Sequence, residues 1–300
     1  MVSLSAPLPV VGTGKIRSYV ALTKPRIIEL LLVTTLPTMF VARRGVPPVW
    51  LMVATVLGGA LAAGGANAIN MVVDRDIDKL MHRTRNRPLV TGAMTPRAAL
   101  IFALSLEVIA FVELWRWVNL LSAVLAVSAT AFYVFVYTLW LKRISSQNIV
   151  IGGAAGAVPV LVGWAAVTNS LGWAPIVLFG VIFIWTPPHF WALAIKYRDD
   201  YEAAGVPMMP VVATLKRTAG QIIIYTVLLV AISVAFAAVG HMGLLYLVSA
   251  LVLGAAFLFF AVRLRQQATP KAAMKLFSYS ITYLTLLFAA MAGDVLVRFH

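Results

Sequence analysis

The chain has 300 residues, of which 62% are apolar and 11% charged, and its mean hydropathy is +0.94. A soluble domain is about half apolar and about a quarter charged, so this composition excludes a soluble enzyme, a disordered chain and, despite a net charge of +14, a nucleic-acid-binding module. The chain contains no cysteine, which excludes disulfides, thiolate metal sites and a cysteine nucleophile.

Residues 1–22 carry no long apolar core and no small-residue cleavage site, and lack the Arg-rich pattern of a transit peptide. They are expected to form a flexible cytoplasmic tail, not a removable signal. Nine apolar blocks follow: Thr23–Ala42, Val49–Val73, Ala98–Trp115, Leu120–Leu141, Ile149–Val167, Trp173–Ile195, Ile222–Val239, Leu244–Val262 and Phe277–Val297. Each approaches the ~20 residues that cross hydrocarbon as a helix. The bilayer core offers no water to free backbone groups, so helices are required. Blocks such as Ile149–Val167 and Leu244–Val262 lack the alternation of a membrane barrel. The expected fold is all-α: one domain over 1–300, a polytopic bundle of about nine transmembrane helices enclosing a cavity that opens near the cytoplasmic face.

Of the 24 Lys and Arg, 20 fall in the N-terminal segment and in the loops after blocks 2, 4, 6 and 8; only Arg43, Arg44, Arg116 and Arg298 fall on the other side. This positive-inside asymmetry puts the N-terminus in the cytoplasm and the C-terminus outside. The lipid bilayer is thus a partner and nucleic acid is not. The simplest home is a bacterial or archaeal cytoplasmic (inner) membrane.

The loops after blocks 2 and 6 hold six of the ten acidic residues: Asp74, Asp76, Asp78, Asp199, Asp200 and Glu202. Asn70, Asp74 and Asp78 are spaced i, i+4, i+8. On a helix continuing out of block 2 they stack along one face, with Asn67 deeper on the same side. An amide and two carboxylates offer hard oxygen ligands suited to Mg²⁺, which completes its shell with waters and substrate phosphates. Arg83 and Arg87, with Arg85 between them, add guanidinium groups that clamp phosphate oxygens. Taken alone, such a cluster is more often a solvated helix end in which acids balance arginines. A second mixed cluster, Lys196, Arg198, Asp199, Asp200 and Glu202, lies on the same membrane face and favours a diphosphate held between the two.

These residues resemble the UbiA-type intramembrane prenyltransferases. The likeness rests on Asn70, Asp74 and Asp78, on Arg83-Thr84-Arg85-Asn86-Arg87-Pro88, on Lys24-Pro25-Arg26, and on Tyr137 through Lys142-Arg143. Within that family, Asn148–Trp164, Trp185–Trp191 and Tyr197–Pro210 are most similar to the branch that farnesylates protohaem IX. The resemblance implies that farnesyl diphosphate ionises with Mg²⁺ as cofactor and alkylates a vinyl group of haem b, the substrate. It implies metal ligation by Asn70, Asp74 and Asp78, with Asp199 and Asp200 as further candidates. Lys24, Arg26, Arg83, Arg87, Lys142, Arg143, Lys196 and Arg198 would bind diphosphate. Asn67, Tyr197 and Tyr201 would contact substrate, the two tyrosines standing where many relatives carry a second pair of aspartates. A haem A-forming enzyme or a terminal oxidase would suit as an assembly partner, though no residue shows it.

His189, in Pro187-Pro188-His189-Phe190, is the one histidine within a block. Intramembrane ionisable groups are functional by default, and imidazole is the obvious haem-iron ligand in a chain without cysteine. His189 is therefore expected to contact haem or to act in catalysis, against the plainer reading of a packed histidine bonded to a carbonyl. Glu107 is read as a helix contact, the glycines of Gly58–Gly65 and Gly152–Gly156 as close-packing positions, and Trp164, Trp185 and Trp191 as interfacial anchors. Two other functions compete: prenyl transfer to an aromatic or quinone precursor, and secondary transport of an anionic solute through broken helices.

Overall fold

A computed structural model of the chain describes residues 14–299, except for the side chains of residues 15, 26–32 and 299. Thirteen residues of the expected tail, and the Arg26 side chain, therefore lie outside the described residues. The rest of that segment is a helix, α1 (Lys15–Thr23). Leu22 is fully buried and packs with Ala68 and Met71, and the Tyr19 ring meets Phe102 edge-on at 4.9 Å. Apolar residues three apart on one helical face give α1 a surface to bury, which corrects the expectation of a flexible tail up to residue 22.

Lys24 adopts the left-handed conformation (φ 51°) that closes α1, and Pro25 opens α2 (Pro25–Arg43) at its first turn. Next come α3 (Val49–Val73) and α4 (Arg75–Leu80). Then α5 (Pro96–Trp117) is capped by Thr95, whose hydroxyl accepts from Ala98 N. α6 (Leu120–Ala131) runs into a π-helical segment (Phe132–Leu141) and ends in the single turn α7 (Lys142–Ile144). The second half holds α8 (Asn148–Thr168), α9 (Trp173–Lys196), α10 (Arg198–Ala203), α11 (Met209–Val212), α12 (Leu215–Val239), α13 (Leu244–Gln267) and α14 (Pro270–Phe299).

Among the described residues, eight helices are long and apolar enough to cross a membrane, and α2 corresponds to the first of the nine blocks. The chain is a multi-pass membrane protein. α12 begins seven residues before its apolar block, α13 ends five residues after its block, and α14 begins seven residues before its block and ends two after it. There Lys, Arg and Gln are good helix formers, and the Thr214 hydroxyl caps α12 by accepting from Arg217 N at 3.3 Å.

The bundle packs through small residues. A Cβ on Gly65 of α3 would lie 3.0 Å from the Ala103 carbonyl of α5, and one on Gly163 of α8 would lie 2.8 Å from the Thr35 carbonyl of α2. Thr130 donates to Glu107 Oε1 at 3.1 Å, so Glu107 joins helices as expected. Trp185 and Trp191 are buried, at 2% and 0% exposure, in the core shared by α9, α12, α13 and α14. This overturns the anchoring expectation for these two. Lateral packing between helices, not depth in the bilayer, decides where such rings sit.

Candidate active site

α3 stops at Val73, and Asp74 takes φ −85°, ψ 5° before α4 begins, so the single continuous helix expected from the spacing is interrupted. The i→i−4 ladder nevertheless carries across the break, with Asp74 N on Asn70 O at 2.9 Å and Asp78 N on Asp74 O at 2.8 Å. Asn70, Asp74 and Asp78 therefore stay together, all buried at 3%, 0% and 3% exposure. Asn70 Nδ2 donates to Asp74 Oδ2 at 2.7 Å and to Thr138 Oγ1 at 3.2 Å.

Three cations close on these groups. Lys142 pairs with Asp74 Oδ2, Arg87 reaches Asp78 Oδ2 at 2.5 Å, and Lys24 Nζ donates to Asn70 Oδ1 at 3.1 Å. Cations thus outnumber carboxylates within a buried cluster. Burial, helped by the charges of Arg87 and Lys142, pushes the Lys24 amine down from 10.5 to about 7. Arg143 instead forks onto the exposed Asp76, at 2.7 and 2.8 Å, and holds that carboxyl down to about 2. Beside this pair opens a cleft of about 200 Å³ lined by Asp76, Ile77, Leu80, Arg143, Ala204, Gly205 and Val206.

The second cluster meets the first differently from the expectation. Asp200 accepts the backbone N–H groups of His82 at 3.2 Å and Arg83 at 3.1 Å, while Asp199 is exposed on α10. The Arg83 guanidinium lies over the Tyr197 ring at 5.4 Å and Lys196 Nζ at 5.3 Å. Tyr201 packs with Ile77 and Met81, and burial raises its phenol above the ordinary value. Arg198 is exposed. Lys196 also borders an open groove of about 870 Å³, whose walls include Phe260, Met274, Lys271 and Lys275. Asn67 Nδ2 donates to the Thr23 carbonyl at 3.3 Å, tying α1 to α3.

His189 is buried two helical turns below Tyr197 on α9. Its ring stacks on Trp185 (4.3 Å, 19°) and Phe277 (4.6 Å, 27°). Its Nδ1 lies 2.7 Å from Ser280 Oγ, so its partner is a hydroxyl and not the carbonyl of the plainer reading.

Two contributors escape the sequence. Thr138 sits on the π segment, where its hydroxyl bonds Tyr133 O at 2.8 Å and receives Asn70. Tyr133 and Tyr137 stack there at 5.4 Å, and a Cβ on Gly152 would strike the Tyr137 ring. π turns recur at functional sites, yet nothing in the apolar run distinguishes one. Ser280 is the other contributor, and only its partner 91 positions earlier marks it.

The donor set fits a hard divalent cation. Asp74 Oδ1 is buried without a hydrogen-bond partner, with Arg143 Nη2 standing off at 4.0 Å, an arrangement that a closer cation would satisfy. Among the described residues no three His, Cys, Asp or Glu converge on one point. Two carboxylates and an amide are what Mg²⁺ takes when phosphates supply the remaining oxygens.

The model of the UbiA prenyltransferase family matches residues 31–290. A relative from Parafrankia sp. (strain EAN1pec), called protoheme IX farnesyltransferase, is 56% identical over 95% of this chain and 92% of its own length. A protein of the same name from Streptomyces coelicolor is 48% identical over 98% of each chain. A solved digeranylgeranylglyceryl phosphate synthase superposes with a TM-score of 0.77 at 16% identity, covering 94% of this chain and 99% of its own. A UbiA homolog from Archaeoglobus fulgidus, bound to GPP and Mg²⁺, gives 0.60 at 16% identity over 91% of this chain and 99% of its own. The last two likenesses speak for the fold alone.

Proposed function

The chain belongs to the UbiA prenyltransferase family, and on that premise we propose that it transfers the farnesyl group of farnesyl diphosphate to a vinyl group of haem b, giving haem O and diphosphate. The observation that carries the donor half is the buried set of Asn70, Asp74 and Asp78, enclosed by Lys24, Arg87 and Lys142. The acceptor half is supported by identities of 48–56% to haem-farnesylating relatives over nearly the whole chain. Family membership sets aside the transporter reading, and those relatives favour haem over an aromatic or quinone precursor.

Asn70, Asp74 and Asp78 would hold Mg²⁺, which when bound neutralises charge developing on the leaving diphosphate. Lys142 and Arg87, which otherwise pair with the carboxylates, then turn to phosphate oxygens, and Lys24 adds a third positive charge. These groups favour heterolysis because their attraction grows as the bridging oxygen takes up the bonding pair. The allylic C–O bond breaks and the farnesyl cation meets the terminal vinyl carbon of haem, forming the new C–C bond. Water adds to the neighbouring carbon and releases one proton, so no oxidant or reductant is required. Asn70, held by Thr138, and the stacked Tyr133 and Tyr137 brace the floor beneath the diphosphate. His189 would meet the acceptor through the haem iron. Asp200 serves this site by fixing the loop that carries Arg83 and Arg87. The chemistry would face the cytoplasm of an inner membrane, as the Lys and Arg distribution directs.

Purified protein in lipid nanodiscs, given haem b, farnesyl diphosphate and Mg²⁺, is expected to yield farnesylated haem by mass spectrometry. Mg²⁺-dependent binding of farnesyl diphosphate with unaltered haem would overturn the acceptor assignment and leave the donor site standing.

A further inference from the structure

Ser280 is buried at 0% exposure on α14 and has one hydroxyl proton to give. Its Oγ lies 2.6 Å from the Phe277 carbonyl and 2.7 Å from His189 Nδ1. A carbonyl oxygen only accepts, so the serine proton points back along its own helix to Phe277, the habit of a helical serine. What remains for His189 is an Oγ lone pair, and Nδ1 must therefore bring the proton. A neutral imidazole with Nδ1–H carries its free lone pair on Nε2. Nδ1 is the ring nitrogen that is hydrogen-bonded among the described residues.

Ser280 also holds the ring's surroundings. Its backbone carbonyl accepts from Trp185 Nε1 at 2.9 Å, and Trp185 is one of the two rings stacked on His189. The same residue thus sets the proton position through its side chain and one stacking wall through its main chain. Metal-ligating histidines almost always donate their second ring N–H to an oxygen, most often of a carboxylate, a carbonyl or water, which fixes the tautomer and makes the ligand nitrogen more basic; here that oxygen is the Ser280 hydroxyl.

We propose that Ser280 is a positioning residue for the acceptor: it holds His189 as the Nδ1–H tautomer, so that Nε2 offers its lone pair to the iron of haem b. This deepens the haem reading above and rests on it for the identity of what Nε2 meets.

The test is ring ¹⁵N spectroscopy of histidine-labelled protein in nanodiscs, with His189 assigned by its loss in His189→Ala, run beside absorbance titrations with ferric haem b. In the haem-free protein His189 is expected to show a protonated Nδ1 and a bare Nε2. Ser280→Ala is expected to mix the two tautomers and weaken haem binding about tenfold, while Ser280→Thr, which keeps the hydroxyl, restores both. Farnesyl diphosphate affinity stays unchanged in both variants. A protonated Nε2 in the unmodified protein overturns the proposal, as does a Ser280→Ala variant with the original tautomer and haem affinity. A Soret band identical in His189→Ala and the unmodified protein overturns the iron contact. If the tautomer is as expected and the Soret band depends on His189 but no farnesylated haem forms, the acceptor reading falls while the iron contact and the role of Ser280 stand.

Discussion

Replacing Asp74 by Asn keeps the shape of the side chain and removes its charge. The carboxylate is fully buried and its partner Lys142 is 14% exposed, so the substitution leaves a largely buried ammonium without its counter-ion, beside the positive charges of Lys24 and Arg87. Breaking such a pair costs about 3–5 kcal/mol of stability, mostly because the surviving charge loses its counter-ion. Lys142→Met in the same chain removes that charge, and the double variant is expected to recover about 2 kcal/mol or more of the loss. Turnover should behave otherwise. With Asp74 gone, one of two anionic ligands is missing wherever the cation sits, and a loss of about 10³-fold or more, roughly 4 kcal/mol of barrier, is expected in Asp74→Asn. The double variant lacks a phosphate contact as well and should be no faster. Stability is read from thermal unfolding in nanodiscs, and activity from the rate of haem O formation. A double variant turning over within about tenfold of the unmodified enzyme would refute the reasoning, since Asp74 would then serve the fold alone.

Because Lys24 titrates at about 7 rather than 10.5, it is largely neutral above pH 7 in the ligand-free protein, and the charge regained on binding must come from solution. Diphosphate binding is expected to take up more proton at pH 8 than at pH 6, so affinity falls as pH rises through 7; calorimetry in buffers of different ionisation enthalpy measures this, and Lys24→Met should abolish it. Asp200→Ala frees the backbone of His82 and Arg83 and should raise KM for farnesyl diphosphate about tenfold with kcat little changed; an unaltered KM would deny the loop any part in donor binding. Asp76→Asn removes an exposed pair with Arg143 and is expected to change activity less than about twofold. Gly163→Ala sets a methyl group 2.8 Å from the Thr35 carbonyl and should lower stability by about 1–3 kcal/mol, visible as an earlier unfolding transition.

The helices were legible because a bilayer leaves the backbone no alternative and the apolar blocks are long. Asn70, Asp74 and Asp78 were legible from spacing even though the helix breaks at Asp74, since the hydrogen bonds on either side preserve the four-residue advance. The tail was misread up to residue 22 because a nine-residue helix makes a weak periodic signal beside blocks twice its length. Asp200 hid its backbone contacts, because carboxylates beside arginines look alike whether they hold a metal or a backbone. Its partners stand 117 and 118 positions away, a separation no local pattern records. The π turn was hidden for a different reason: Phe132–Leu141 is a nearly unbroken run of apolar and aromatic residues around Thr138, so a wider winding leaves no mark in its hydropathy.

The tether from Asp200 to His82 and Arg83 also orders events during synthesis. The loop bearing Arg83 and Arg87 leaves the ribosome more than a hundred residues before the carboxylate that secures it. A nascent chain that has inserted only through α8 holds Asn70, Asp74 and Lys142, and ties that loop through Asp78, to Arg87 and Thr84. The second tie forms when α9 brings in α10, the passage that also delivers His189, so the loop is fastened and that histidine arrives in one stroke of insertion.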